Sequence, residues 1–174
     1  AGREAAEVDS SKCAFCLTCF RICPHGAVSV DSEKNAASIS VVSCQACGIC
    51  VAECPAKAIS LPGFTDEALA AGIEAGASMT VFACENSAVP AGKAAKMQGN
   101  GTKVNMVTVP CAGKVDPRLV LAALEKGAQK VLLLGCHPES CQYLSGSSRG
   151  AKRIKRLSEM LGKAGFDGSR VAFG

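Results

Sequence analysis

The sequence predicts an α+β module that folds around its own cysteine loops, followed by an α/β domain with a short parallel sheet. Three observations carry this expectation. The run Cys-x2-Cys-x2-Cys-x3-Cys-Pro occurs twice, at residues 13–24 and 44–55. The four remaining cysteines of the 12 all lie from residue 84 onward, well past both runs. From Met79 onward, short apolar runs alternate with helical patterns, the order of a parallel sheet. The predicted boundaries are 1–61 for the first module, 62–77 for a connector and 78–174 for the second domain.

With 174 residues, 48% of them hydrophobic, the chain can bury one ordinary core, or one core beside a small module held by something else. The longest apolar run near a strand signal, Val131 to Leu134, is far below the roughly 20 residues of a membrane span, so a soluble chain without a span of its own is expected. The opening "AGREAAEVDSS" is charged and has no apolar segment of a signal peptide, and a start at Ala1 without Met suggests a fragment or a processed chain.

Twelve cysteines admit a disulfide scaffold or a metal-binding protein. Disulfide geometry asks only for suitably placed Cα and Cβ atoms, and nothing in it favours the same four-cysteine run twice. An offset of 31 residues maps Cys13, Cys16, Cys19 and Cys23 onto Cys44, Cys47, Cys50 and Cys54, and carries "PHGAVSV" onto "PAKAISL". Each unit reads as a cysteine loop, a turn or short helix ending at Pro, and a brief strand. "AVSVD" and "ASISVV" are expected to pair antiparallel across Ser32 to Asn35.

This pattern resembles the two-cluster bacterial ferredoxins, so the first unit is expected to be a ferredoxin-like two-cluster module with two 4Fe-4S clusters. Three thiolates spaced three residues apart on a curled loop can reach three corners of one cubane, and the fourth lies too far along. In the resembling family the fourth cysteine crosses to the other cluster. Carried onto this chain, that gives Cys13, Cys16, Cys19 and Cys54 to cluster one and Cys44, Cys47, Cys50 and Cys23 to cluster two. A module too small for a normal core would then fold around its metals. Ala14, Thr18, Ala46, Gly48 and Ala52 would let backbone N–H groups approach the cluster sulfurs, while Phe15, Phe20, Ile22, Ile49 and Val51 would exclude water. Structural zinc also uses Cys-x2-Cys pairs, but does not ask for four cysteines and a proline in one run, twice.

In the connector, Thr65 and Glu67 are expected to open a short helix that Gly76 closes. Strands are expected at "MTVFAC" from Met79, "KVNMVTVPC" from Lys103, "KVLLLGC" from Lys130 and "RVAFG" from Arg170. The clearest helix has Asp116 as N-cap, Pro117 at its first position, an apolar stripe of Leu119, Val120, Ala123 and Leu124, and Gly127 past its end. A second is expected from about Arg149 to Lys163, with Ile154, Leu157 and Leu161 on one face.

Cys84, Cys111 and Cys136 each follow a predicted strand, and Cys141 shares a loop with Cys136. The carboxyl edge of an open α/β sheet is where ligands bind, so these four thiols are expected to converge on a third metal centre. By count they suit 2Fe-2S, 4Fe-4S or zinc. They could also be ordinary buried cysteines, or Cys136 and Cys141 could form a redox-active dithiol. His137 and Tyr143 share that loop and could touch cluster sulfur. His25, between Pro24 and Gly26, reads as structural.

"FACENSA", "PCAGKVDPRLVLAALEKGA", "VLLLGCHPESCQY" and "GSSRGAKR" resemble the delta subunit of methyl-viologen-reducing hydrogenase. That domain is also fused to the C-terminus of proteins related to the A subunit of heterodisulfide reductase. The "GFTDE" connector after two ferredoxin motifs is similar to that A subunit and to its relative, the B subunit of the quinone-interacting membrane-bound oxidoreductase. The resemblance implies a 2Fe-2S cluster on Cys84, Cys111, Cys136 and Cys141. It implies FAD on a domain outside this chain or on a partner. It further implies work as an electron-transfer subunit or fragment beside a flavoprotein, a hydrogenase or other donor, and a membrane quinone-linked subunit, in anaerobic metabolism. The implied location is cytoplasmic, attached to the inner face of the membrane through partner subunits. One departure stands out: family members often carry a further cysteine three positions beyond Cys84, where this chain has Ser87.

Residues 1–61 carry five Lys or Arg against six Asp or Glu, and 62–174 carry fourteen against nine. "RGAKRIKR" concentrates the excess. With no Trp, one Tyr and no nucleic-acid motif, a nucleic-acid partner is not expected, and Arg153 and Arg156 read as a solvated helix face or a dock for an acidic redox partner. No paired carboxylates, Ser-His-Asp set, P-loop or G-x-G-x-x-G fingerprint is present, so no catalytic site of its own is evident. The enzymatic alternative uses Cys136 and Cys141 as an active dithiol fed by the ferredoxin module.

Overall fold

The computed structural model describes residues 4–89 and 103–174. The helical segment expected between the first two strands of the second domain falls on residues outside this description.

The first module repeats its backbone as well as its sequence. Helices α1 (Thr18–Ile22) and α2 (Ile49–Glu53) lie 31 positions apart. Three left-handed backbone positions are copied at the same offset: Phe15 and Ala46 (φ 50° and 52°), Leu17 and Gly48 (56° and 74°), Gly26 and Lys57 (60° and 51°). A bulky residue such as Phe15 or Leu17 adopts positive φ only where its surroundings over-determine it. Here the reversal curls each loop, and the N–H groups of Thr18, Phe20 and Ile49 reach the thiols of Cys16, Cys19 and Cys47, an arrangement that favours negative charge.

Strand β2 (Val28–Asp31) pairs antiparallel with β3 (Ala36–Ile39), as expected, but β3 stops short of "VV". Val41 and Val42 lie in the turn before Cys44, with Val42 94% exposed. A second pair joins β1 (Glu7–Val8) to β4 (Ile59–Ser60). Sequence reasoning missed β1, because two residues among charges carry no period.

The second domain holds a four-stranded sheet in the order β6-β5-β7-β8, all parallel: β5 Met79–Cys84, β6 Val104–Val109, β7 Lys130–Leu134 and β8 Val171–Phe173. Period-two alternation divides its faces. Phe82, Val107, Val109, Val131, Leu133 and Val171 enter the main core with helices α4 (Pro117–Glu125) and α5 (Gly146–Lys163). Val81 and Ala83 face a second buried cluster that contains the thiols of this domain.

The connector is more than a tether. Its helix α3 (Asp66–Ala71) is capped by Thr65, whose hydroxyl accepts from the Ala68 N–H, as the sequence suggested. It ends at Gly72, not Gly76. The buried Asn105 side chain donates to the Gly72 carbonyl at 3.1 Å and accepts from the Glu74 N–H at 3.3 Å, taking over backbone groups that a longer helix would have used. The turn delivers Leu69 and Ile73 into the core of the second domain, and Phe64 packs on the cores of both units. No helix among the described residues is long and apolar enough to cross a membrane.

Candidate metal centres

The eight cysteines of the first module line two cavities, and the division crosses the repeat. One cavity is lined by Cys13, Cys16, Cys19 and Cys54, the other by Cys44, Cys47, Cys50 and Cys23. The electrostatic neighbourhoods divide the same way. Burial raises the Cys19 thiol, and Cys54, Cys13 and Cys16 add to the rise. Burial pushes Cys50 up to about 12, with Cys47, Cys44 and Cys23 next among the causes. Cys47 is pushed up to about 11, mainly by burial.

Backbone donors reach the crossing cysteines in matched fashion. The Ala27 N–H points to Cys23 Sγ at 3.4 Å and the Ala58 N–H to Cys54 Sγ at 3.3 Å, again 31 residues apart. Thiols crowded into a buried space oppose one another's ionisation, and a cationic metal core relieves that conflict by holding them as thiolates. The donor set and the inward N–H groups therefore fit an iron-sulfur cluster in each cavity.

At the sheet edge, register brings the remaining thiols together. Cys84, the last residue of β5, sits level with Val109, so Cys111 lies two residues past the end of its strand, as does Cys136 past Leu134. Cys84 Sγ and Cys136 Sγ are 3.9 Å apart. The four thiols, all buried, share one cluster with Cys47 and Ile49 of the first module. Cys111 turns through a short 3-10 helix (Ala112–Lys114) whose Gly113 N–H donates to Cys111 Sγ at 3.4 Å. Burial drives the Cys111 thiol well above its usual range, with Cys141, Cys84 and Cys47 adding to the rise. Cys141 goes the other way: burial works to raise it, but N–H groups of Ser147, Tyr143 and Gly146 around the start of α5 outweigh that and lower it. Among the described residues no three His, Cys, Asp or Glu side chains gather closely enough to hold a single metal ion.

Residues 79–174 match the family model described as methyl-viologen-reducing hydrogenase, delta subunit. The chain belongs to that family. Residues 5–55 also match a 4Fe-4S dicluster domain. Two relatives run the length of both units: the A subunit of ferredoxin:CoB-CoM heterodisulfide reductase from Methanosarcina mazei and the A subunit of the ferredoxin/F420H2-dependent CoB-CoM heterodisulfide reductase from Methanosarcina acetivorans. Each is 34% identical over 95% of this chain, which spans 22% of the length of either relative. The iron-sulfur D subunit of the F420-non-reducing hydrogenase from Archaeoglobus profundus is 38% identical over 39% of this chain and 50% of its own length. The chain is an iron-sulfur electron-transfer protein related to the heterodisulfide reductase A subunit and the hydrogenase D subunit, with 4Fe-4S clusters in its first module.

Within the delta-subunit domain, α5 starts at Gly146, three residues before the expected Arg149. A Cβ at Gly146 would lie 2.1 Å from Cys111 Sγ and 3.6 Å from Cys141 Sγ, so only glycine lets the helix start between those thiols. Ser87, at the position of the departure, donates its N–H to the Cys84 carbonyl, and its buried hydroxyl has no partner among the described residues. His137 is exposed, whereas Tyr143 is buried with its ring edge-on to His25 at 6.0 Å between centroids. His25 lines the second cavity.

Two readings from sequence change. Phe15 and Phe20 do not shield the first loop; Phe20 is 52% exposed, because that loop faces outward while the second abuts the delta-subunit domain. Arg153 is not part of a solvated face either. Its guanidinium turns inward, donating to the carbonyls of Val115 and Gly113 and pairing with Glu53 of α2 at 3.0 Å. Lys57 pairs with Asp116 and Lys114 with Asp66, so three ion pairs tie the first module and the connector to the delta-subunit domain. The sequence offered one clue to these: Lys114 and Asp116 of "GKVDP" follow directly on the apolar stretch from Val109 to Ala112.

Proposed function

We propose that the chain relays electrons within a flavin-dependent, heterodisulfide-reductase-like or quinone-interacting complex. Cys13, Cys16, Cys19 and Cys54 hold one 4Fe-4S cluster, and Cys44, Cys47, Cys50 and Cys23 hold the other. Cys84, Cys111, Cys136 and Cys141 hold a 2Fe-2S cluster. The units fall at 1–61 and 78–174, with 62–77 between them. The flavin, FAD, belongs to a part of the assembly outside this chain, and the donor is a hydrogenase or another redox component.

The observation that carries this reading is the crossed lining of the two cavities, together with the burial of Cys47 in one cluster with the four thiols of the delta-subunit domain. Bound clusters supply one-electron redox chemistry. The chain's own residues exclude water, orient the thiols and join the sites into one unit. A dithiol enzyme at Cys136 and Cys141 is less well supported, since the sulfur contact of Cys136 goes to Cys84.

Iron and acid-labile sulfide analysis with low-temperature EPR on anaerobically prepared protein tests the reading. Two 4Fe-4S signals and one 2Fe-2S signal are expected. Two clusters with titratable thiols in the delta-subunit domain would favour the dithiol enzyme instead, and iron-free folded protein would end both.

A further inference from the structure

Lys114 is wholly buried, with a side-chain exposure of 0%. Lysine is almost never found so unless paired, and a buried ion pair is a poor source of net stability because desolvation offsets the attraction. Something other than stability accounts better for a cation in this position. Lys114 ends the 3-10 turn that begins at Cys111, and its stem lies on the backbone of Gly48, between Cys47 and Cys50. A Cβ at Gly48 would come within 2.6 Å of Lys114 Cδ. The ammonium group pairs with Asp66, in the first turn of α3. The two charges differ in setting: Asp66 is 33% exposed and reaches water, so its field is screened, whereas the field of the buried ammonium is not.

We propose that Lys114 sets the reduction potential of the centre held by Cys44, Cys47, Cys50 and Cys23, with Asp66 as its counterweight. The inference rests on the cluster reading above. Reduction adds one negative charge to that centre, and a fixed cation against its loop stabilises the reduced form.

The test is an EPR-monitored redox titration of the full chain as wild type, K114M, K114R and D66N. K114M is expected to lower one 4Fe-4S midpoint by at least a tenfold change in reduced fraction, about 59 mV for one electron. D66N is expected to raise that midpoint, K114R to hold it, and the other 4Fe-4S midpoint to move less throughout. A merely structural ion pair would respond alike to K114M and D66N, since both break it. Shifts of the same sign, or none in a protein that retains both signals, overturn the proposal. If K114M loses iron, the direction of the D66N shift decides alone. A wild type without 4Fe-4S signals overturns the cluster reading and this inference together.

Discussion

Phe20 and Val51 occupy equivalent places in the two halves of the repeat, yet Phe20 is half exposed and Val51 is buried. The asymmetry comes from outside the module. Helix α2 lies against the 3-10 turn of the delta-subunit domain, and Cys47 and Ile49 share its buried thiol cluster, while Phe20 keeps 52% of its surface exposed. The second loop is therefore packed against the delta-subunit domain, although Cys23, Cys44 and Cys50 around its cavity stay part-exposed.

Truncation should report this difference directly. Ile49, buried against Gly113, is expected to cost about 2–5 kcal/mol as Ile49→Ala. Phe20→Ser should stay within about 0.5 kcal/mol of wild type. Thermal unfolding of the cluster-loaded chain measures both, and equal losses would contradict the packing described.

The crossed lining of the two cavities gives a pairwise expectation. Cys54→Ser and Cys13→Ser should remove the same EPR signal although they lie in different runs, and Cys23→Ser and Cys44→Ser should remove the other. If Cys54→Ser instead matches Cys44→Ser, each run holds its own cluster and the crossing is wrong.

Gly146 decides between two opposed effects. Alanine is the better helix former by about 1 kcal/mol, so propensity alone predicts a gain from Gly146→Ala. Its methyl group would stand 2.1 Å from Cys111 Sγ, and overpacking of this kind costs about 1–3 kcal/mol and moves the thiol. The clash should win. The variant is expected to lose iron from the delta-subunit domain while both 4Fe-4S signals persist, which metal analysis with EPR can read.

The same glycine shows where sequence reading stops. Both four-cysteine runs, the strands ending near Cys84, Cys111 and Cys136, and the Asp116 cap follow from local spacing and period, and the structure reproduces them. Gly146 weakens the helical pattern at the position where close approach to a distant thiol demands it, so local pattern points to a later start for α5. Arg153 fails for a related reason. Its neighbours Lys152, Lys155 and Arg156 are exposed as a basic helix should be, and contacts with the carbonyls of Gly113 and Val115 and with Glu53, 100 residues away in sequence, turn it inward. Non-local partners leave no mark on local pattern.

The Lys57–Asp116 pair makes the joint between the modules sensitive to acid. Burial alone would raise the Asp116 carboxyl, but Lys57 and the Arg118 N–H prevail and hold it below its ordinary value of 3.8. A carboxyl lowered on folding adds stability wherever the unfolded chain would also be ionised. That contribution is complete above about 3.8 and fades as pH falls through the lower folded value. Asp116→Asn removes it at every pH. The gap in unfolding temperature between wild type and Asp116→Asn should therefore stay level from about pH 8 to about pH 5 and close only in stronger acid. Because both proteins carry the same clusters, acid loss of iron affects them alike and drops out of the difference. A gap that widened on acidification would mean that Asp116 is held neutral in the fold, and that Lys57 is not its partner.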